Sequence, residues 1–344
     1  MRSDENTRQT PVAITMGCPA GIGPEIICRL FHQGKLATPG VSIVVGDGNV
    51  LRQAADCLGM QIQIVPWRPG QAVVEGTLPV MQVGVPRSQP VRWGQPDAAT
   101  GQVMGQAIET AVRLVSSGQC SAIVTCPISK KSLQQAGFSY PGHTEMLAAL
   151  TKTARVRMMM AGPRLKVVLV TIHVPLGRVS ELLTREEIVD CIRMTRSALQ
   201  RDFAVDAPRI AVAGLNPHGS EDGLFGDEEK RIIGPAVAMF PGQEVSGPWP
   251  PDTVFHKAVA GRFDAVVAMY HDQGLIPFKL LHFQDGVNVT LGLPLVRTSV
   301  DHGTAYDIAG RNQADPASLA AALAMAHTIV ANRQQRSETC ATAC

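Results

Sequence analysis

Apolar residues gather in six short runs, PVAITM, VSIVVG, SAIVTC, KVVLVTIH, RIAVAGL and DAVVAMYH, each followed by a turn and a segment with helical periodicity. Aliphatic and β-branched runs of this length predict strands, and the helical segments between them predict crossovers. The pattern is therefore α/β with a largely parallel sheet. Within each run the apolar positions are consecutive rather than alternate, which predicts strands covered on both faces. Residues 66–97 break the rhythm with many prolines and glycines and two of the three tryptophans, and predict an edge excursion or a hairpin. A long helix is predicted over 98–117, where Gly101 and Gly105 share a face that another element could approach closely.

A length of 344 residues suits one large or two modest lobes. We expect a central lobe over 130–284 and a second lobe formed by 1–129 with 285–344. With 17% charged residues and a formal net charge of +2 there is no basic field for nucleic acid, so any charged ligand needs a local cluster. The polar start MRSDENTRQT lacks the core of a secretory signal, and no stretch approaches the roughly 20 apolar residues of a membrane span. These features predict a cytoplasmic protein that binds neither membrane nor nucleic acid. The eight cysteines include no CxxC pair and are expected to be reduced thiols, mostly buried.

Three histidines carry the first candidate chemistry. His173 follows KVVLVTI, His218 follows RIAVAGLNP and His271 follows DAVVAMY, each just past the carboxyl end of a predicted strand, where open parallel sheets bind ligands. One such histidine is more often a hydrogen-bonded loop residue. Three together could hold a divalent ion and leave a coordination position open. Imidazoles suit zinc or another first-row ion such as cobalt better than magnesium. Asp252 in PPDTVF could add a carboxylate or a second-sphere hydrogen bond.

An anion-binding set is the second. His143 and Thr144 open a predicted helix in YPGHTEMLAALT, with Glu145 in its first turn, and free amides at such an end attract phosphate or carboxylate. Lys279, Asn288 in GVNVTLG, and Arg297 could together clamp a phosphate. The turn GCPAGIGPE after the first strand is glycine-rich but matches neither a GxGxxG nor a GxxxxGK loop. DHGTAYDIAGRNQADP is more telling, because it resembles the adenosine-binding loop of the isocitrate and isopropylmalate dehydrogenase superfamily. That resemblance implies His302 and Gly303 beside the adenine and Asp307 facing the ribose, hence NAD, with NADP as the alternative.

Taken together, the runs from VAITMGCPAGIGPE to HGTAYDIAGR resemble the family of 4-hydroxythreonine-4-phosphate dehydrogenases over nearly the whole chain. The resemblance implies two α/β/α lobes of isocitrate dehydrogenase type with an interlobe active site. It also implies His173, His218 and His271 as metal ligands shared across a homodimer, and His143, Thr144, Lys279, Asn288, Arg297 and Asp252 as substrate contacts. Lys130 matches the family's lysine and is a candidate proton carrier. The implied reaction oxidises the C3 hydroxyl of 4-phosphohydroxy-L-threonine to a 3-oxo acid, which loses carbon dioxide to give 3-amino-2-oxopropyl phosphate for vitamin B6 synthesis. Two positions depart from the pattern: Cys18 stands where relatives usually have an acid, and Cys126 where they usually have Gly or Ala. The alternatives are a dehydrogenase of 4-phospho-D-threonate or 4-phospho-D-erythronate, and, from another class, a zinc hydrolase or a phosphate-ester binding protein. Relatives that oxidise dihydrodiols rank below these, since they lack the GHTE run.

Overall fold

The computed structural model describes residues 10–36 and 40–342, the last four by backbone alone. The polar start up to Gln9 and Cys344 therefore lie outside the described residues, as does the side chain of Cys340. The chain divides into two compact units, 1–154 with 293–330, and 155–292 with 331–344.

The first unit contains β1 (Val12–Thr15), β2 (Ser42–Gly46), β3 (Ile64–Pro66), β4 (Leu78–Gln82), β5 (Ala122–Thr125) and, returning late in the chain, β12 (Val296–Ser299). They pair in the order β3-β4-β2-β1-β5-β12, every pair parallel. Connections run through α1 (Gly23–His32), α2 (Gly48–Cys57), α3 (Ala98–Ser116), α4 (Lys130–Gln135) and α5 (His143–Leu150). Strands β1, β2 and β5 are buried at every position, as consecutive apolar residues require of strands covered on both faces. The expected edge excursion or hairpin yields the edge strand β3 and its inner neighbour β4, which run parallel and so are not a hairpin.

Helix α3 starts at a capping box between Asp97 and Thr100. A Cβ at Gly101 would lie 2.0 Å from the Ser132 carbonyl, and one at Gly105 would lie 2.2 Å from the Phe138 ring. This close packing of α4 and the turn after it onto α3 keeps residues 130–154 with the first unit, so the observed border falls at 155 rather than at 130.

The second unit contains β6 (Arg157–Ala161), β7 (Lys166–Leu169), β8 (Ile210–Ala213), β9 (Val245–Trp249), β10 (Ala265–Ala268) and β11 (Val287–Leu291), in the order β11-β6-β7-β10-β8-β9. The β11-β6 and β6-β7 pairs are antiparallel and the remaining pairs parallel. Helices α6 (Val179–Leu182), α7 (Arg185–Arg201), α8 (Gly234–Val237), α9 (Pro251–Val259) and α10 (His271–Leu281) connect them, and α11 (Ala317–Thr342) ends the chain. The core under α9 and α10 joins Val167, Leu169, Ala211, Val254, Val266 and Phe278. Each large side chain buried there contributes about 1.5–3 kcal/mol. Among the described residues, no helix is long and apolar enough to cross a membrane.

Candidate active site

Strands β7, β10 and β8 are hydrogen-bonded neighbours and run parallel, so their carboxyl ends share one edge of the second unit's sheet. His173, His271 and His218 follow those ends in that order. The rings of His173 and His271 come together, with centroids 5.8 Å apart and planes tilted by 43°. His271 opens α10, and its Nδ1 lies 2.6 Å from the Asp272 carboxylate. That contact places a proton on Nδ1 and directs the Nε2 lone pair outward, the form a metal ligand needs.

His218 is placed differently. It lies in the 217–223 segment, where His218, Ser220, Glu221 and Asp222 all have positive φ, a conformation L-residues seldom adopt. Its ring faces Phe225 at 6.2 Å, and Nδ1 is 3.8 Å from Glu221. Among the described residues, no three His, Cys, Asp or Glu side chains are grouped as a metal site. The structure thus assembles the pair His173–His271 and keeps His218 on the adjoining loop. The donor chemistry of that pair, two imidazoles with one Nδ1 held by a carboxylate, fits a zinc-like ion.

Two supporting residues were invisible in the sequence because their partners are distant. Gln273, 8% exposed, accepts from the Met269 amide at 2.6 Å and donates to the Gly214 carbonyl at 2.7 Å, joining the ends of β10 and β8. Glu229, 4% exposed, accepts from the amides of Leu215 and Asn216, each at 2.7 Å, and fixes the entry to the His218 loop. Asp252 is exposed in the first turn of α9, which packs against that loop. Lys279 lies in the last turn of α10. Asn288 lies on β11, its Oδ1 withdrawn from solvent and accepting no hydrogen bond among the described residues.

The first unit carries the remaining groups. Gly142 caps α5, and a Cβ there would lie 3.1 Å from Glu145 Oε2 and 3.6 Å from Lys130 Cε, so Lys130 reaches the helix start that bears His143 and Thr144. Arg297, 3% exposed, is held to Thr125 Oγ1 by Nε at 3.2 Å and Nη2 at 2.7 Å. Burial pushes its guanidinium down to about 10, opposed by the Glu145 carboxylate. Burial, followed by the charge of Arg297, holds the His143 imidazole well below its usual value, and its Nε2 is sealed with no partner among the described residues. Kept neutral beside a buried cation, the ring offers an uncharged donor and acceptor to a ligand.

The loop after β12 is fastened to α1. Glu25, 1% exposed, accepts from the Gly310 amide at 3.2 Å and the Ala314 amide at 3.0 Å, while Arg29 donates to Asn312. His302 bonds the Gly303 carbonyl through Nδ1 at 3.0 Å, and its Nε2 is withdrawn from solvent without a partner among the described residues. Space is open beside Gly303, and Asp307 is exposed. An acceptor nitrogen, an open glycine and an outward carboxylate fit the adenosine half of a dinucleotide. The six described cysteines outside the tail are free, and all but Cys57 are buried. Cys126 fits the packing reading, since a Cβ at Gly17 or Gly23 would lie 2.9 or 3.3 Å from its own Cβ.

Residues 39–326 match the family described as pyridoxal phosphate biosynthetic protein PdxA. The chain is 53% identical over 320 residues to a 4-hydroxythreonine-4-phosphate dehydrogenase of Desulfosudis oleivorans, covering 92% of this chain and 94% of that one. To the protein of the same description from Desulforapulum autotrophicum it is 51% identical over 319 residues, with the same coverage. Among solved structures, the 4-hydroxythreonine-4-phosphate dehydrogenase of Klebsiella pneumoniae superposes with a TM-score of 0.84 at 43% identity, covering 94% of this chain and 98% of that one.

Proposed function

We propose how this chain, which belongs to the PdxA family of pyridoxal phosphate biosynthetic proteins, performs the oxidation for which its relatives are named. It is a 4-hydroxythreonine-4-phosphate dehydrogenase, an oxidoreductase that removes hydride from C3 of its phosphorylated substrate and passes it to a nicotinamide cofactor. The resulting 3-oxo acid loses carbon dioxide and leaves 3-amino-2-oxopropyl phosphate.

The observation that carries the site is the convergence of His173 and His271 at the shared edge of β7 and β10, with His218 on the next loop. These three residues would hold one divalent ion at a site shared across the homodimer, zinc by donor chemistry, with cobalt or magnesium as alternatives. When bound, the ion lowers the pKa of a coordinated hydroxyl and stabilises negative charge on oxygen. Arg297, Lys279, Asn288 and the amides at His143 and Thr144 bind the anionic ends of the substrate, and Asp252 orients its polar groups. The Oδ1 of Asn288 and the Nε2 of His143, both lacking partners among the described residues, support contact with a ligand. Lys130, beside the start of α5, carries away the C3 hydroxyl proton, with neutral His143 as its neighbour. His302 and Gly303 receive the adenine and Asp307 the ribose. A carboxylate there repels a 2′-phosphate, which favours NAD over NADP.

The protein acts in the cytoplasm as a homodimer. Support for pairing comes from the second unit, where Ile276, Leu280 and Phe283 are 68%, 85% and 78% exposed. Ile276 and Leu280 lie four apart on one face of α10.

The deciding experiment follows NADH absorbance after mixing the enzyme, zinc and NAD with 4-phosphohydroxy-L-threonine or with 4-phospho-D-threonate. Faster turnover of the amino acid is expected. Preference for the threonate would reassign the substrate, and no NADH from either would favour a hydrolase or a binding protein.

A further inference from the structure

Cys18, in the turn that follows β1, has a fully buried side chain. The hydroxyl of Tyr306 donates to its Sγ at 3.3 Å, across 288 positions of sequence. Backbone surrounds this contact. The Ile22 amide donates to the Thr304 carbonyl at 3.1 Å, and the Gly94 amide donates to the Ala20 carbonyl at 2.8 Å. A Cβ at Gly21 would lie 3.0 Å from the Thr304 carbonyl, and one at Gly94 would lie 2.8 Å from the Tyr306 carbonyl. Three chain segments are therefore layered directly on one another, and the Tyr306–Cys18 bond is a side-chain link across them, made by a hydroxyl that also meets the side chains of Ser129 and Thr304.

The other end of the same loop is fastened separately, by Glu25 to Gly310 and Ala314. Asp307 lies between the two anchorages. The carboxyl-terminal anchor is a buried carboxylate on two amides. The amino-terminal one, next to His302 and Gly303, depends on a thiol, a weak acceptor. Burial raises the thiol pKa and pushes the Tyr306 hydroxyl up to about 12, so both groups stay protonated at neutral pH. The link is thus uncharged, and the carboxylate whose charge acts on the thiol is that of Asp97.

We propose that Tyr306 and Cys18 are a positioning pair, whose hydroxyl-to-thiol bond fixes residues 302–307 for the adenosine half of the cofactor and so sets dinucleotide affinity. The pair does not touch the reacting atoms. This inference rests on the reading of 302–307 as the cofactor loop.

NADH binding measured by fluorescence titration tests it, using the wild type, Tyr306→Phe, Cys18→Ala, the double variant, Cys18→Ser and Asp307→Ala. Each single change should weaken binding about 3- to 10-fold, the range for one neutral hydrogen bond. The double variant should be no weaker than the poorer single, because both remove the same bond. Cys18→Ser, which keeps an acceptor, should recover most of the affinity, and the thermal midpoints of the cofactor-free variants should stay close to wild type. Wild-type affinity in both single variants, or effects that multiply in the double, would overturn the pairing. Unchanged binding in Asp307→Ala would instead overturn the cofactor-loop reading, and the proposal with it.

Discussion

The imidazoles of His173 and His271 stand 5.8 Å apart because the strands that deliver them, β7 and β10, are parallel neighbours. Their meeting is a property of the sheet, so it should survive changes to either ring. His271→Ala is expected to keep the far-UV circular dichroism of the parent while bound zinc, measured by elemental analysis, is lost. NADH formation should fall by more than about 100-fold, beyond the range for disturbing an outer partner of a metal ligand. His218→Ala should behave in the same way. Normal turnover by either variant after chelation would exclude the metal role.

Gln273 is the brace between the two histidine loops. Gln273→Leu leaves the Met269 amide and the Gly214 carbonyl without their partner, at a cost of about 1–3 kcal/mol for each buried group. Zinc affinity should drop about 10- to 100-fold with kcat reduced when metal is limiting. Saturating metal should restore much of the rate, which a destroyed site would not permit.

Asp307 is expected to exclude a 2′-phosphate. Matched assays should give kcat/KM for NAD above that for NADP by about tenfold or more, equivalent to roughly 1.4 kcal/mol. Asp307→Asn should narrow the ratio mainly through KM. A strong NADP preference in the parent would remove this role.

Stability should fall on both sides of neutrality. The imidazoles of His143 and His327 are held below 6.5 by burial, and Arg297 adds to the effect at His143. As pH drops below about 6.5 the unfolded chain takes up those protons first, so folding weakens with acid. Burial pushes the thiols of Cys28, Cys120 and Cys191 up to about 12 from 9.0. Above pH 9 the unfolded chain ionises first, and by pH 10 each thiol should remove on the order of 1 kcal/mol. Urea midpoints at pH 5, 7.5 and 10 should therefore pass through a maximum, and a flat profile would contradict the burial of these groups.

The exposed Ile276, Leu280 and Phe283 give a direct test of pairing. Leu280→Asp should shift the mass seen by light scattering from dimer to monomer with little effect on the circular dichroism. A parent that is monomeric at micromolar concentration would rule out the homodimer.

Much of this organisation is legible in the sequence. Consecutive aliphatic residues at Val12–Thr15 or Ala265–Ala268 can lie only in strands covered on both faces, and the histidines are found simply by counting past the ends of those runs. Gly101 and Gly105 announce a close approach, though not that Ser132 and Phe138 make it. Gln273, Glu229 and the Tyr306–Cys18 bond stay hidden, because their value lies in partners that the fold supplies across loops. The border at 155 is hidden for the same reason: it depends on how α4 packs on α3, and composition does not change there. The left-handed turn that carries His218 is illegible too, since Ser, Glu and Asp give no warning of positive φ.

Helix α11 does not end as a dispensable appendage. Asp202, 2% exposed, is gripped by Arg201 and by Arg333 at 2.7 Å, and its carbonyl accepts from Asn332 at 2.8 Å. A chain shortened ahead of Asn332 would strip a sequestered carboxylate of one of its two guanidinium partners, a loss of about 3–5 kcal/mol where such a pair is broken. Truncation of this terminus ahead of Asn332 is therefore expected to yield less folded protein, and an affinity handle belongs where it leaves Asn332 and Arg333 in place.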